Sequence, residues 1–255
     1  MSADTFRERV RGRERLLGTF VKTPAYQSVE VVASGGLDFA LIDAEHAPFD
    51  RCTLDAAVLA ARASQLPVLV RIPDNSAATI LNVLDIGATG VVVPHMRDPD
   101  QIAQVFAATR YRSGGSAGRG FSNSPRAGGY GGIGMEDLIP AADKNTVVIC
   151  QIEDKEAVEK IERIAAIDDV DCLFIGKADL AVSCGFIGAD RALLDAAVER
   201  ICAACNAAGK AVGIFLPNLD ELSRYEDLGV TLFVIGSDQA LLKMQLKTIV
   251  SKFRE

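Results

Sequence analysis

The sequence alternates between short apolar runs and longer amphipathic segments, and this alternation repeats eight times. Apolar runs rich in Val, Ile and Leu, such as 67–73, 89–95 and 146–153, predict strands that are buried on both faces. The segments that follow them, such as 50–64 and 155–167, predict helices. Strands that alternate with helices predict a parallel sheet, because each crossover helix returns the chain to the start of the next strand.

Eight strand–helix units in a chain of 255 residues predict a single domain, 1–255, with the (β/α)8 TIM-barrel fold. A doubly wound open sheet is the competing interpretation. The barrel is favoured because no turn carries the G-x-G-x-x-G pattern of a dinucleotide-binding sheet. The predicted strands are 16–22, 38–45, 67–73, 89–95, 146–153, 170–176, 211–217 and 231–237.

One segment, 112–145, interrupts the alternation with nine glycines and no clear period. A loop of this length in a compact domain usually has a function or lacks order. Because it follows the fourth strand–helix unit, we predict a lid over the site or an element between subunits.

The amino-acid composition argues against several classes of protein. The net charge of −7 and the pI near 5.0 argue against a nucleic-acid surface. No apolar run reaches the roughly 18 residues of a membrane span, and the charged first 15 residues lack the apolar region of a secretory signal, so we expect a cytoplasmic protein. The six cysteines are expected to be reduced thiols, and the pair Cys202 and Cys205 is interpreted as helix packing.

Polar side chains collect where the predicted strands end. In a TIM barrel the carboxyl ends of the strands carry the active site, so these residues are the candidates for catalysis. Side chains two apart on a strand share a face, so two polar groups on a core strand must be satisfied by an ion or a substrate. The strand-end residues are Asp43, Glu45, His46, Arg71, His95, Gln151, Glu153 and Asp179.

Glu153 and Asp179 follow adjacent strands and would supply two carboxylates to one divalent cation. Hard oxygen ligands without Cys or His suit Mg²⁺ or Mn²⁺. Such an ion would act as a Lewis acid on a chelating 2-oxo acid and stabilise its enolate. Arg71 would neutralise the carboxylate or the developing oxyanion, and His46 would move protons near neutral pH. The implied chemistry is formation or cleavage of a carbon–carbon bond through a pyruvate-type enolate.

A Schiff-base mechanism is the alternative within the same chemistry, and Lys177 is the nearest candidate nucleophile. Such a lysine must be neutral to attack a carbonyl. The neighbouring carboxylates Glu153 and Asp179 would raise its pKa, so this mechanism is disfavoured.

At these residues the chain resembles the HpcH/HpaI aldolase family of metal-dependent class II pyruvate aldolases, over residues 16–240. The resemblance implies a TIM barrel that forms hexamers, as trimers of dimers, with the last helix exchanged between partners. The matching pieces are "LIDAEHAPFD", "PVLVRIP", "LDIGATGVVVP", "RAGGYG", "ICQIEDKEAVE" and "LFIGKADLA".

The resemblance also implies roles for individual residues. Glu153 and Asp179 match ligands of Mg²⁺, Mn²⁺ or Co²⁺, His46 matches the essential histidine, and Arg71 matches the substrate-binding arginine. The remaining matches are Gln151 with the amides around Gly176 and Ala178 for the pyruvate carboxylate, Asp43 for a polar active-site position, and Asp85 for the aspartate paired with the histidine. Asp85 falls near the end of a helix, which points away from the active face of a barrel, so it would reach a site through a subunit interface.

The chain departs from the family pattern at Ala44, at Lys177, at "PHMRD" with His95 and Arg97, and at "RYRSGGSAGRGF". These changes leave the predicted metal-binding and enolate-stabilising residues in place. They leave open the identity of the second substrate, the aldehyde or other acceptor. Three hypotheses follow: an aldolase acting on 4-hydroxy-2-oxo acids with pyruvate as product, a citrate-synthase-like enzyme condensing the enolate with oxaloacetate, and a non-catalytic sensor of 2-oxo acids.

Overall fold

Eight parallel strands form a closed barrel in a computed structural model, which describes residues 6–111, 118–186 and 191–255. The strands are β1 (Leu16–Val21), β2 (Phe39–Asp43), β3 (Val68–Arg71), β4 (Gly90–Val93), β5 (Val147–Ile152), β6 (Cys172–Ile175), β7 (Ala211–Leu216) and β8 (Leu232–Ser237). Each pairs with the next, and Leu16 of β1 is in register with Leu232 of β8. The TIM-barrel prediction is confirmed, and the open-sheet alternative is wrong.

Helices surround the barrel. They are α1 (Phe6–Arg11), α2 (Tyr26–Ala33), α3 (Arg51–Ala63), α4 (Ala77–Asp85), α5 (Pro99–Thr109), α6 (Met135–Asn145), α7 (Lys155–Glu159), α8 (Ile161–Ala165), α9 (Lys177–Cys184), α10 (Arg191–Ala207), α11 (Leu222–Asp227) and α12 (Asp238–Arg254). The helix predicted at 155–167 is two helices, α7 and α8. Among the described residues, no helix has both the length and the apolar character needed to cross a membrane.

The strands separate two apolar layers, which explains why their sequences are apolar on both faces. In β2 the side chain of Leu41 packs inside the barrel, and its neighbours Ala40 and Ile42 pack against the surrounding helices. In β4 Val92 packs inside and Val91 outside in the same way. This alternation follows from the pleat of a strand. It directs polar side chains beyond the strand ends toward the mouth of the barrel.

The amino-terminal ends of the strands are closed by α1. Phe6 packs its ring 5.7 Å from that of Phe39, inside the barrel. Arg7 donates from Nε to Asp171 Oδ1 at 2.9 Å, and the Asp171 carboxylate also accepts the Val148 N–H at 2.8 Å. Because α1 fills this end with apolar side chains, the opposite end is left open for chemistry.

The glycine-rich segment is described from residue 118 onward, and residues 112–117 of the predicted lid lie outside the described residues. It contains a 3₁₀ helix, Arg126–Gly131, and then α6, so much of it is helical. Arg126 donates to Asp55 Oδ1 at 2.7 Å and to the Ile86 carbonyl at 2.9 Å, at the end of α4. Arg126 therefore holds the 3₁₀ helix against α3 and α4, and the lid prediction is not tested by these contacts. The interface alternative stays a prediction.

Candidate active site

Glu153 follows β5 and lies at the centre of the polar cluster, with only 2% of its surface exposed. Its Oε2 accepts a short hydrogen bond from Gln151 Nε2, and its Oε1 accepts the His95 N–H at 2.8 Å. A Cβ added at Gly176 would lie 2.7 Å from Glu153 Oε2 and 2.9 Å from Gln151 Nε2. Only glycine therefore leaves room for this pair, which the structure brings together as the spacing predicted.

Burial raises the pKa of Glu153 above its ordinary value, and the negative charge of Asp179 raises it further. Asp179 lies in the first turn of α9, exposed at the strand carboxyl ends. A cation placed between the buried Glu153 carboxylate and the exposed Asp179 carboxylate would relieve their repulsion.

The arrangement fits a hard divalent cation. The donors are carboxylate oxygens, and the buried Gln151 Oε1 has no hydrogen-bond partner among the described residues. Such an orphaned acceptor is costly unless a ligand or water satisfies it. Within the described ranges, no three His, Cys, Asp or Glu side chains are placed together so as to hold a metal ion. An ion here would rest on Glu153 and Asp179 and keep its other positions open, which suits Mg²⁺ or Mn²⁺ better than a structural zinc.

Arg71 and Asp43 form a buried ion pair at the ends of β3 and β2. Arg71 donates from Nε to Asp43 Oδ1 at 3.1 Å and from Nη2 to Oδ2 at 2.8 Å. Burial opposes ionisation of Asp43, but the hydrogen bonds from Arg71 prevail and hold its pKa below the usual range. The Arg71 guanidinium also lies 3.2 Å from Glu45 and 4.8 Å from the centroid of the Phe20 ring. These contacts fix its planar group in one orientation.

Lys22 adds a second cation to this pair, with Nζ 3.1 Å from Asp43 Oδ2. Sequence analysis missed Lys22 and Phe20, although both lie at or just past the carboxyl end of β1, where the other candidates were sought. Asp238 accepts the backbone N–H groups of Lys22 and Thr23 at 2.9 and 3.0 Å. Ser237 caps α12, accepting the N–H of Ala240.

His46 lies in the turn after β2, with about half of its side chain exposed. Its backbone N–H donates to Asp43 Oδ1 at 3.1 Å, which ends the strand earlier than the sequence pattern predicted. Its Nε2 lies 3.7 Å from Glu45 Oε2. The imidazole is therefore placed at the mouth of the barrel, with its backbone fixed by the same carboxylate that holds Arg71.

One of the two backbone amides predicted to bind the pyruvate carboxylate, that of Gly176, already has a partner within the chain. The N–H of Gly176 donates to the Ile152 carbonyl at 3.1 Å, so it is not available to a substrate. Ala178 lies in the first turn of α9, which has no side-chain cap. First-turn amides lack partners within their helix and favour anions. Ala178 and Gln151 thus remain as candidate donors to a substrate carboxylate.

His95 follows β4 with a backbone φ of +55°, a value that residues other than glycine rarely adopt. Its Nδ1 lies 3.1 Å from Asp154 Oδ2, and Arg97 Nε lies 3.2 Å from Asp154 Oδ1. Asp154, which sequence analysis missed, therefore contacts both His95 and Arg97, two of the residues that depart from the family pattern. Its position directly after Glu153 was the available signal.

Two residues considered from the sequence, Asp85 as a predicted participant and Lys177 as a disfavoured nucleophile, have partners of their own. Asp85 ends α4 and accepts from Arg119 Nη2 at 2.6 Å, so within one chain it is not brought together with His46. Lys177 begins α9, but its Nζ donates hydrogen bonds to Glu221 Oε2 at 3.0 Å and to the Tyr225 hydroxyl at 2.9 Å. Because its amine is hydrogen-bonded to these two residues of the α11 region, Lys177 is unsuited to Schiff-base chemistry.

Comparisons with known proteins agree with this geometry. Residues 16–244 match the family model described as HpcH/HpaI aldolase/citrate lyase. A hydroxypyruvate/pyruvate aldolase of Paraburkholderia phytofirmans is 33% identical, covering 91% of this chain and 90% of the relative. A crystal structure of an HpcH/HpaI aldolase/citrate lyase family protein from Burkholderia cenocepacia superposes with a TM-score of 0.93 at 32% identity, covering 99% of this chain and 100% of that one.

A second solved structure, of the citrate synthase SbnG, superposes with a TM-score of 0.85 at 27% identity and covers 98% of both chains. The family match extends over almost the whole barrel and includes every strand that carries a candidate residue. The chain belongs to the HpcH/HpaI aldolase/citrate lyase family.

Proposed function

We propose that this carbon–carbon lyase reversibly cleaves 4-hydroxy-2-oxo acids to pyruvate, or a related 2-oxo acid, and an aldehyde. The observation that carries the proposal is the buried Glu153 carboxylate, packed against Gly176 and Gln151 beside Asp179. Glu153 and Asp179 would hold a divalent cation, Mg²⁺, Mn²⁺ or Co²⁺. When bound, such a cation acts as a Lewis acid that favours the enolate form of the 2-oxo acid.

The chain's own residues orient the 2-oxo acid. The amide N–H of Ala178 and the second N–H of Gln151 Nε2, whose first N–H donates to Glu153, donate to its carboxylate. Arg71 lies with its guanidinium plane fixed by Asp43 and Phe20 and stabilises negative charge as it develops on the substrate oxygen. Because Arg71 is already held, little reorganisation accompanies the reaction.

Cleavage breaks the bond between C3 and C4 of the substrate. The proton of the 4-hydroxyl leaves, C4 becomes the aldehyde carbon, and the bonding pair passes into the enolate at C2 and C3. Protonation of C3 then gives the methyl group of pyruvate. His46 moves these protons, because an imidazole can both accept and donate a proton and this one is half exposed at the mouth of the barrel.

The proposal extends to an oligomer, a hexamer built as a trimer of dimers with α12 exchanged between subunits. No residue of α12 is buried within the chain. The helix exposes a row of apolar side chains, namely Leu242, Met244, Leu246, Ile249 and Phe253. Apolar rows of this kind are commonly covered by a partner. An interface between copies would also let Asp85, which pairs with Arg119 within its own chain, take part in the site.

Exchange of the pyruvate methyl protons with deuterated water, followed by NMR, tests enolate formation without an acceptor. We expect exchange with Mn²⁺, its loss in EDTA, and its recovery when the ion is returned. His46→Ala should lower turnover strongly and leave folding intact. Full exchange in EDTA would refute the metal role, and pyruvate binding without exchange would support the sensor hypothesis.

The second candidate is a citrate-synthase-like condensation of the same enolate with oxaloacetate. The similarity to the citrate synthase SbnG over 98% of both chains favours keeping it. A substrate panel separates the two functions, because an aldolase releases pyruvate from 4-hydroxy-2-oxo acids, whereas the alternative consumes oxaloacetate. The six free cysteines are consistent with a reducing cytoplasm as the proposed location.

A further inference from the structure

Three residues beside the candidate metal site have no part in the steps proposed above. His95 and Arg97 follow β4, and Asp154 follows Glu153 at the end of β5. We name them the β4–β5 cluster. We propose that the β4–β5 cluster binds a carboxylate, or a similarly charged end, of the acceptor aldehyde. The inference deepens the proposed function and rests on it.

The β4–β5 cluster directly adjoins the carboxylate that would hold the cation. The His95 N–H donates to Glu153 Oε1 at 2.8 Å, and the imidazole Nδ1 lies 3.5 Å from the same oxygen. A 2-oxo acid held at Glu153 is thus next to His95. The acceptor must approach that 2-oxo acid to form the carbon–carbon bond, so it enters the space that these side chains border.

The backbone of His95 is held in a conformation that costs free energy. A φ of +55° at a residue other than glycine is sparsely populated and persists where its surroundings impose it. Here the conformation directs the N–H at Glu153 while the ring reaches Asp154. One residue therefore joins the predicted metal ligand to the neighbouring carboxylate.

Arg97 provides the charge that recognises an anion. About half of its side chain is exposed, and its Nε lies 3.2 Å from Asp154 Oδ1. Within the described ranges, its Nη atoms make no recorded hydrogen bond. A guanidinium that is oriented by one carboxylate and still presents donors suits a second, incoming carboxylate. Asp154 orients the guanidinium of Arg97, and the anionic end of the acceptor would accept hydrogen bonds from the Nη atoms of Arg97.

A matched pair of aldehydes tests the inference. Succinic semialdehyde carries a carboxylate, and butanal has the same number of carbons without it. The measured quantity is the ratio of kcat/KM for the charged aldehyde to that for the neutral one, with pyruvate and Mn²⁺. Arg97→Met should lower this ratio about tenfold, mainly through the KM of the charged aldehyde, because a charge-assisted hydrogen bond is lost.

His95→Asn separates the ring from the backbone. Asparagine tolerates the left-handed conformation, so the N–H to Glu153 is retained while the imidazole is removed. The ratio should fall about fivefold. Arg200→Met is the matched control, since Arg200 is similarly exposed and also pairs with a carboxylate, Glu162, but lies on the outer helix α10. It should keep the wild-type ratio.

The outcomes separate the two proposals. A ratio unchanged in either Arg97→Met or His95→Asn would overturn the role of the β4–β5 cluster while the aldolase proposal stands. Failure of the wild-type protein to exchange pyruvate methyl protons with Mn²⁺ would refute the proposed function, and with it this inference.

Discussion

Replacing Glu153 by glutamine separates the energetic cost of a buried carboxylate from its use as a ligand. Burial and the charge of Asp179 raise the pKa of Glu153, so the folded state disfavours the ionised form at neutral pH. Glutamine has the same shape without the charge. Its carbonyl can accept the His95 N–H, and its amide can donate to Gln151 Oε1 once the Gln151 amide turns by 180°, because Gln151 Nε2 is the atom that faces this position in the wild-type chain.

We expect Glu153→Gln to be more stable than the wild type when no metal is present. Satisfying one buried polar atom and removing one buried charge is worth about 1 kcal/mol or somewhat more. For a domain of this size, that corresponds to a rise in Tm of about 2–4 °C. With Mn²⁺ at a hundred times its Kd, ligand binding adds about 2.7 kcal/mol to the wild type alone. The order of the two Tm values should therefore reverse, by about 5 °C.

Calorimetric unfolding of both proteins in EDTA and in Mn²⁺ measures the reversal. Glu162→Gln is the control, because Glu162 is an exposed carboxylate paired with Arg200, far from the site. It should respond to Mn²⁺ as the wild type does. The reasoning is wrong if Glu153→Gln unfolds below the wild type in EDTA. It is equally wrong if Mn²⁺ stabilises both proteins to the same extent.

Three further predictions concern the same barrel. Gly176→Ala should weaken Mn²⁺ binding, measured by titration calorimetry, by at least about tenfold, because the new Cβ would lie 2.7 Å from Glu153 Oε2; Gly120→Ala has open space around it and should bind normally. Asp43→Asn should lower the free energy of urea unfolding by about 3 kcal/mol at pH 7. Because the pKa of Asp43 is lowered in the fold, the stability it adds is present above its ordinary pKa of 3.8 and is lost as pH falls through the folded value, so the difference from wild type should shrink below that pH; a constant difference would contradict this. Cys52 is the exposed cysteine, so Cys52→Ser should remove the fast phase of thiol labelling of the native protein with Ellman's reagent.

The strands were predictable because each is a short run with apolar residues on both faces. All eight predicted strands overlap the observed ones. The predicted strand ends were less accurate. The strand predicted at 38–45 stops at Asp43, because the Asp43 carboxylate accepts the His46 N–H and the chain turns there. Closure of the barrel was predicted from the count of eight units, but the register of the closing pair, Leu16 with Leu232, does not follow from local patterns.

The helices that sequence analysis missed are those that depend on contacts distant in sequence. The six-residue α1 is held by Arg7 on Asp171, and α6 contains Pro140 and follows a glycine-rich stretch. Helix α9 is short, and only one of its residues, Leu180, is buried. No local periodicity is strong enough to identify such elements.

The positions of the candidate residues on the barrel were easier to predict than their contacts. The rule that strand carboxyl ends carry the chemistry selected Glu153, Asp179 and Arg71, which the structure places at that end of the barrel. The same rule could not show that the Gly176 amide is already bonded to Ile152, or that Lys177 faces Glu221. Those facts depend on the exact path of the backbone after each strand.

The closure of the barrel by α1 has a consequence during synthesis. Arg7 leaves the ribosome 164 residues before Asp171, its ionic partner. At 5–20 residues per second, the first helix waits about 8–30 s before it can dock. During that interval the Phe6 side chain is exposed to chaperones and proteases, and docking can finish only late in translation.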